Sequence, residues 1–173
     1  IRHVGTVSLN HISYTYNGKP KEPSVTLKDT DGKVIDSRNY TVAYEGNTKV
    51  GNARVTILLK EDYAGVIFRT FEICPEGTSV SGKVTSRNRG FQVKWKKRKR
   101  NVTGYEVQYS TNKRFAGKET VTKTIRKKLA TKLTVQNLKP GTKYYVRVRT
   151  YKTVKKKEFC SAWSKGRSVI TGK

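Results

Sequence analysis

The sequence predicts an all-β protein made of two tandem antiparallel modules. Short stretches of alternating apolar and polar residues recur between turn signals, a pattern typical of half-buried strands. No helical spacing of apolar residues persists for ten residues anywhere in the chain. The 173 residues suit two modules better than one, because all-β sandwich domains often have about 100 residues.

The distribution of charge also divides the chain into two parts. Residues 1–74 hold 10 Lys and Arg against 8 Asp and Glu, a net charge of +2, whereas residues 75–173 hold 28 against 4, a net charge of +24. Together they give the formal charge of +26. We therefore expect one module in residues 1–74, a linker at 75–79 and a second module at 80–173.

In the first module, strands are predicted between turn dipeptides. Asn17-Gly18 and Asp31-Gly32 are strong turn signals. The predicted strands include 24–29, 39–47, 51–60 and 64–73. In the second of these, Tyr40, Val42 and Tyr44 share one face. We expect six or seven antiparallel strands, forming either an Ig-like sandwich or a β-grasp-like sheet.

The most informative stretch is LKPGTKYYVRVRTY at 138–151 in the second module. A turn on Pro140-Gly141 leads into a strand whose even-numbered and odd-numbered residues face opposite ways up to Arg149. Tyr144 follows the turn closely enough for its hydroxyl to bond the turn backbone, as in the tyrosine corner of Greek-key sandwiches. FQVKWKK, GYEVQYST and SAWSKGRSVIT are predicted as the second, third and last strands of this module.

In this order and spacing, residues 79–173 resemble a fibronectin type III domain of the kind carried by surface proteins of Gram-positive, Clostridia-like gut bacteria. The resemblance implies a Greek-key sandwich with Trp95 in its core. Nearly all of residues 5–74 are similar to a small β-rich repeat found in tandem on the same class of surface proteins. The residues that carry this second similarity are Tyr16-Asn17-Gly18, Pro23, Asn39-Tyr40-Thr41-Val42, Asn47, Val50-Gly51, Ala53, Tyr63-Ala64-Gly65 and Phe71-Glu72-Ile73.

Both resemblances imply a non-catalytic structural or adhesive role, in an extracellular or cell-wall-associated protein. The sequence also lacks the usual signs of a catalytic site. His3 and His11 are the only histidines, and no phosphate-binding loop or nucleophile motif is present. We therefore expect no enzyme activity, no cofactor and no metal. The sequence has no run of about 18 apolar residues, so we expect no membrane span. Because the sequence opens within a predicted strand at Ile1, we expect a fragment of a longer protein.

Basic loops of the second module are the first candidate site. On the inferred fold, three such loops meet at one end and would attract polyanions, such as cell-wall teichoic acids, sulfated or sialylated host glycans, or nucleic acid. A solvated, solubilising surface is the alternative. No motif specific for nucleic acid accompanies them. The candidate residues are Lys96, Lys97, Arg98, Lys99, Arg100, Lys127, Lys128, Lys155, Lys156 and Lys157, with Arg126 beside them.

An aromatic face is the second candidate site. Tyr145, Arg147, Arg149 and Tyr151 are predicted to project outward, with Tyr109 and Trp163 nearby. Such residues stack on sugars or bases, or on each other to stiffen a sheet, and we favour the stiffening.

A disulfide bond between Cys74 and Cys160 is a further possibility. The pole at which the chain enters the resembled fold also carries the last long loop, so a bridge there would fasten the two modules together. Two thiols are the alternative.

The predicted function is therefore a spacer that binds anionic polymers weakly. The alternative is a dedicated polyanion- or carbohydrate-binding module that supports an enzyme elsewhere in a longer chain.

Overall fold

The computed structural model describes residues 1–173, and their contacts divide into a first unit, Ile1–Cys74, and a second unit, Pro75–Lys173. All regular structure is strand, apart from one 3₁₀ turn at Ser37–Asn39. The predicted all-β class is therefore confirmed. No helix in the chain has the length and apolar character needed to cross a membrane.

The first unit contains six strands. They are β1 (Val4–Leu9), β2 (Ser13–Thr15), β3 (Val25–Asp29), β4 (Tyr40–Glu45), β5 (Gly51–Leu59) and β6 (Val66–Cys74). Strands β1 and β3 form a two-stranded sheet, and the other four form a sheet in the order β2-β6-β5-β4. Two sheets without an α-helix match the sandwich alternative and not the β-grasp.

One strand pair of the first unit differs from the predicted antiparallel pairing, because β2 runs parallel to β6. The chain changes sheets over three residues. The Asn10 N–H still donates to the Ser24 carbonyl beside β3, whereas the Ile12 carbonyl already accepts from the Glu72 N–H of β6. Alternation in the sequence shows which side chains face a core, but not the direction of the partner strand.

The core of the first unit follows the period-2 pattern of its strands. Ala53, Val55 and Ile57 on β5 are buried, while Arg54 and Leu58 between and beyond them are exposed. Leu27 from the two-stranded sheet packs against them in the same core. Burial of this apolar surface is the main force that holds the two sheets together.

The second unit contains eight strands. They are β7 (Thr85–Arg87), β8 (Gly90–Lys94), β9 (Gly104–Ser110), β10 (Val121–Ile125), β11 (Lys132–Val135), β12 (Lys143–Val154), β13 (Lys157–Cys160) and β14 (Arg167–Ile170). One sheet has the order β11-β8-β7, and the other has the order β10-β9-β12-β13, with β14 also on β12. Phe91, Val93 and Trp95 are buried between the sheets, so the central core tryptophan is confirmed.

The predicted last strand at 161–171 is shorter in the structure. Only Arg167–Ile170 form a strand, which pairs with the start of β12, while β13 pairs with its end. Between β13 and β14, serine side chains take over half of the backbone ladder. The N–H groups of Ser161 and Ser164 donate to the carbonyls of Thr150 and Val148, whereas the N–H groups of Thr150 and Val148 donate to the hydroxyls of Ser161 and Ser164. Serine side chains commonly compete with ladder carbonyls in this way.

The turn before β12 is also held differently from the predicted tyrosine corner. Tyr144 is buried against Phe91 and Tyr109, and its hydroxyl makes no hydrogen bond to the turn. Instead the Thr171 hydroxyl donates to the Lys139 carbonyl and accepts from the Thr142 N–H. A residue near the end of the chain therefore closes the turn that the sequence pattern assigned to Tyr144.

Candidate functional site

The three basic loops lie at one end of the second unit, which we call the basic end (96–100, 126–128 and 155–157). Strand register brings them together, because Gly104 at the end of the first loop pairs with Tyr151, and Tyr105 pairs with Ile125. In the other sheet, Lys132 pairs with Lys94, so the remaining loop boundaries fall at the same edge. The backbone thus concentrates the basic loops where the sequence predicted.

The buried hydroxyl of Tyr105 joins two of these loops. It accepts a hydrogen bond from the Arg98 N–H at 2.8 Å and lies 3.1 Å from the Lys128 carbonyl, to which it donates. The third loop is tied by Thr103, whose hydroxyl accepts from the Thr153 N–H. A core side chain therefore positions the backbone that carries the surface charge.

Most of the candidate cations at the basic end are exposed, but Arg98 is not. Its Nε donates to the Gly77 carbonyl at 2.7 Å, and its Nη1 lies 2.9 Å from the Glu76 carboxylate. Glu76 and Gly77 belong to the stretch predicted as a linker, 75–79, which these bonds tie to the second unit. Arg98 therefore has a structural role, and its role in polyanion binding stays a prediction.

Lys155 and Lys156 form the two-residue turn between β12 and β13. Their φ angles are +47° and +68°. Residues other than glycine and asparagine rarely adopt such a backbone conformation. Both lysines are exposed. Lys157 begins β13, and its ammonium group lies 4.7 Å from the centre of the Phe159 ring. The turn therefore displays two cations on strained backbone.

Arg147 and Arg149 of β12 form a stack with aromatic residues from two other segments. The Arg147 guanidinium lies 4.1 Å from the centre of the Phe115 ring and 4.8 Å from that of Trp163. Arg149 lies 4.3 Å from the same Trp163 ring. These contacts support the predicted stiffening of the sheet by Arg and aromatic side chains. Phe115 was missed because it lies in a loop, held at φ +54°.

Two tyrosines assigned to this face are not available to a ligand. Tyr151 is 1% exposed, and its ring covers Gly104 of the neighbouring strand. Its hydroxyl is buried without a hydrogen bond, and burial raises its pKa. Tyr109 faces the core beside Phe91. Both assignments are wrong, because glycine at 104 opens a hole that Tyr151 fills and the alternation turns Tyr109 inward.

The two arginines of the stack have different partners on β9. The Arg149 Nε donates to the Glu106 carboxylate, and the two form an ion pair. The Arg147 Nε donates to the neutral amide oxygen of Gln108 at 2.8 Å. Burial, and then repulsion from Arg149, lowers the pKa of the Arg147 guanidinium. Arg147 is thus a half-buried cation without a counter-charge.

The other sequence-based candidates lie apart from these sites. Cys74 ends β6 in the first unit and Cys160 ends β13 in the second, and both are half-buried thiols. The bridge between them stays a prediction. In the first unit, the Asp29 carboxylate accepts from the N–H groups of Asp31 and Lys33, which is a polar turn of the kind expected from Asp31-Gly32.

Comparisons with known proteins found similar solved structures. Crystal structures of domains A168-A170 from titin and of chicken CNTN1 FN1-FN3 domains are similar to this chain, with TM-scores of 0.43 and 0.48 and identities of 17% and 16%. The matches cover 100% and 99% of this chain, and 68% and 67% of those chains. No curated protein matches the sequence.

The sequence profile described as Fibronectin type III domain matches residues 75–166. This range is more than half of the chain and falls within the second unit. Domains of this kind are typically non-catalytic structural modules of extracellular or surface proteins. The chain belongs to the fibronectin type III family.

Proposed function

We propose that this chain is a spacer and adhesive segment of a bacterial cell-surface or secreted protein, and that its basic end binds anionic polymers. The family supports a structural and adhesive module. The resemblance of the second unit to domains on Gram-positive surface proteins, and of the first unit to a repeat on the same proteins, supports the bacterial surface. Teichoic acids and sulfated or sialylated host glycans are the polymers that this setting offers.

The observation that carries the proposal is the concentration of exposed cations at the basic end. Nearly all of its lysines and arginines are exposed, and Arg98, the half-buried exception, forms an ion pair with Glu76. Clustered charge raises the local concentration of a polyanion and releases counterions when it binds. The first unit, with a net charge of +2, offers no continuation of a basic track, which favours weak retention over a dedicated polyanion-binding protein.

The test is binding of the full chain to a panel of polymers at about 50 and 200 mM salt, a range over which several ionic contacts lose orders of magnitude in affinity. The panel contains wall teichoic acid, heparin, single- and double-stranded DNA, and neutral glycans. We expect affinity for the anionic polymers that falls linearly in a plot of log affinity against log salt, and none for neutral glycans.

Two variants of equal net charge locate the binding surface. Each replaces four exposed lysines of the second unit with glutamine. The test variant changes Lys97, Lys99, Lys127 and Lys156, and the control changes Lys118, Lys139, Lys165 and Lys173. The test variant should reduce the salt slope by about 4, roughly one per lost contact, and the control should reduce it by less. Equal losses would contradict the proposal and assign binding to charge spread over the unit.

A salt-resistant affinity for one polymer would favour the dedicated binding module that supports an enzyme elsewhere. Such binding needs contacts other than counterion release. The same panel therefore separates the two functions.

A further inference from the structure

A cleft of about 530 Å³ lies on the outer face of the β12 sheet, at the opposite end of β12 from the basic loops. Four cations and two aromatic rings line it: Lys113, Arg114, Lys143, Arg147, Phe115 and Tyr145. Its lining contains no carboxylate, and none of the four cations forms an ion pair. The volume lies within the range of about 300–1,000 Å³ that is common for small-molecule sites.

Arg147 is the fixed element of this cleft. The Phe115 and Trp163 rings pack against its guanidinium, and its Nε is held by Gln108, while Nη1 and Nη2 make no hydrogen bond within the chain. A planar guanidinium in a fixed position presents two parallel donors that match an oxyanion. The neighbouring Arg149 has a carboxylate partner in Glu106, so of the two stacked arginines Arg147 is the one that lacks a counter-charge.

Because the Arg147 guanidinium is partly buried, binding of an anion beside it is favourable. A half-buried charge loses hydration, and the repulsion from Arg149 adds to that cost. Lys143, whose ammonium group lies 5.5 Å from the centre of the Tyr145 ring, lines the same cleft and supplies a second cation to it. An oxyanion between them would replace the lost hydration with charge-assisted hydrogen bonds.

We propose that this cleft binds the sulfate or carboxylate group of an acidic saccharide, with Arg147 and Lys143 on the anion and the ring of Tyr145 against the sugar. The half-exposed Tyr145 ring and the exposed Ser168 hydroxyl supply an aromatic surface and a polar partner for sugar hydroxyls. A single-stranded nucleic acid fits less well, because it needs a row of rings for successive bases. The lining contains only two rings, Phe115 and Tyr145, and a cation already lies over one face of each.

The inference does not rest on the basic end. Tyr145 and Lys155 are ten residues apart along the extended chain, a distance of about 34 Å at about 3.4 Å per residue. A monosaccharide cannot contact both places. Binding of small acidic sugars therefore reports on the cleft alone, and binding of long polymers to the four-lysine variants reports on the basic end.

The experiment is a titration of the full chain, followed by the NMR signals of the backbone and of the arginine Nε–H groups. The probes are N-acetylglucosamine 6-sulfate and glucuronic acid, with N-acetylglucosamine and sodium sulfate as references at equal ionic strength. We expect at least one acidic sugar to shift signals of residues 113–115 and 143–147, and to bind more tightly than both references. No binding of either acidic sugar, or binding no tighter than that of sulfate, would overturn the proposal.

Gln108→Glu is the decisive variant, because it gives Arg147 the internal carboxylate partner that Arg149 already has. We expect the acidic sugar to bind about tenfold more weakly, which corresponds to about 1.4 kcal/mol. The matched control is Gln92→Glu, since the Gln92 and Gln108 amides each donate to a threonine hydroxyl on the neighbouring strand. Unchanged affinity in Gln108→Glu, or equal losses in both variants, would exclude Arg147 as the anion-binding group.

Discussion

The second unit holds its cations in two contrasting settings. At the basic end, the lysines are exposed and belong to three loops whose backbone is fixed but whose side chains are long and flexible. In the cleft, Arg147 is packed between aromatic contacts and lacks a counter-charge. The number of charges therefore sets the attraction to any polyanion, whereas selectivity among anions needs a cationic group that is held in a fixed position.

The largest expected effect concerns the scaffold of the basic end. Tyr105→Phe should lower the free energy of unfolding of the second unit by about 1–3 kcal/mol, because the Arg98 N–H and the Lys128 carbonyl lose their buried partner. Thermal unfolding followed by tryptophan fluorescence measures it, since both tryptophans lie in the second unit. Heparin affinity should fall as well, because the loops are no longer tied together.

Tyr151→Phe is the matched control for this prediction. Both tyrosines are almost fully buried, but the Tyr151 hydroxyl makes no hydrogen bond. Its removal should leave stability unchanged or raise it by up to about 1 kcal/mol. If both variants lost the same stability, the hydrogen bonds of Tyr105 would not be what holds the loops.

The alternation of apolar and polar residues was enough to predict most of the fold. Phe91, Val93 and Trp95 are buried as expected, and Ala53, Val55 and Ile57 follow the same rule. Period-2 patterns are reliable because burial of one sheet face repeats at every second residue. The pattern failed at Ser161 and Ser164, where serine hydroxyls replace backbone carbonyls as acceptors, so that the last strand begins only at Arg167.

The candidate sites were only partly predictable, because they depend on contacts between distant segments. The loop ends of the basic end follow from strand order, so fold resemblance was enough to group them. Nothing in the local sequence shows that Arg98 is tied to Glu76, or that Tyr151 fills the space above Gly104. Phe115 reaches Arg147 only through a left-handed backbone in its loop.

The second prediction sharpens the cost of displaying charge at the basic end. Replacing Lys155-Lys156 with Asn-Gly should raise the free energy of unfolding of the second unit by about 1 kcal/mol. Asparagine and glycine adopt the positive φ angles of this turn with less strain than lysine does. Heparin binding should weaken slightly, with a salt slope lower by about two contacts. Chemical denaturation and heparin titration at two salt concentrations measure the two effects.

The control for the turn is Lys155→Gln with Lys156→Gln, which removes the same charge and keeps the strained backbone. It should weaken heparin binding as much as Asn-Gly does, without the gain in stability. A similar gain in both variants would mean that charge repulsion, and not backbone strain, destabilises the turn.

The smallest effect concerns the cleft in the absence of any ligand. Gln108→Glu should stabilise the second unit by about 0.2–1 kcal/mol, the usual range for a partly exposed ion pair. Gln92→Glu, which loses an equivalent amide hydrogen bond but has no arginine assigned to it, should be neutral or destabilising. Denaturant unfolding at about 50 mM and 1 M salt separates the cases, since salt should weaken only the gain from the new ion pair. A destabilised Gln108→Glu would mean that Arg147 is already satisfied by its rings and the Gln108 amide, and the cleft would then have no reason to prefer an anion.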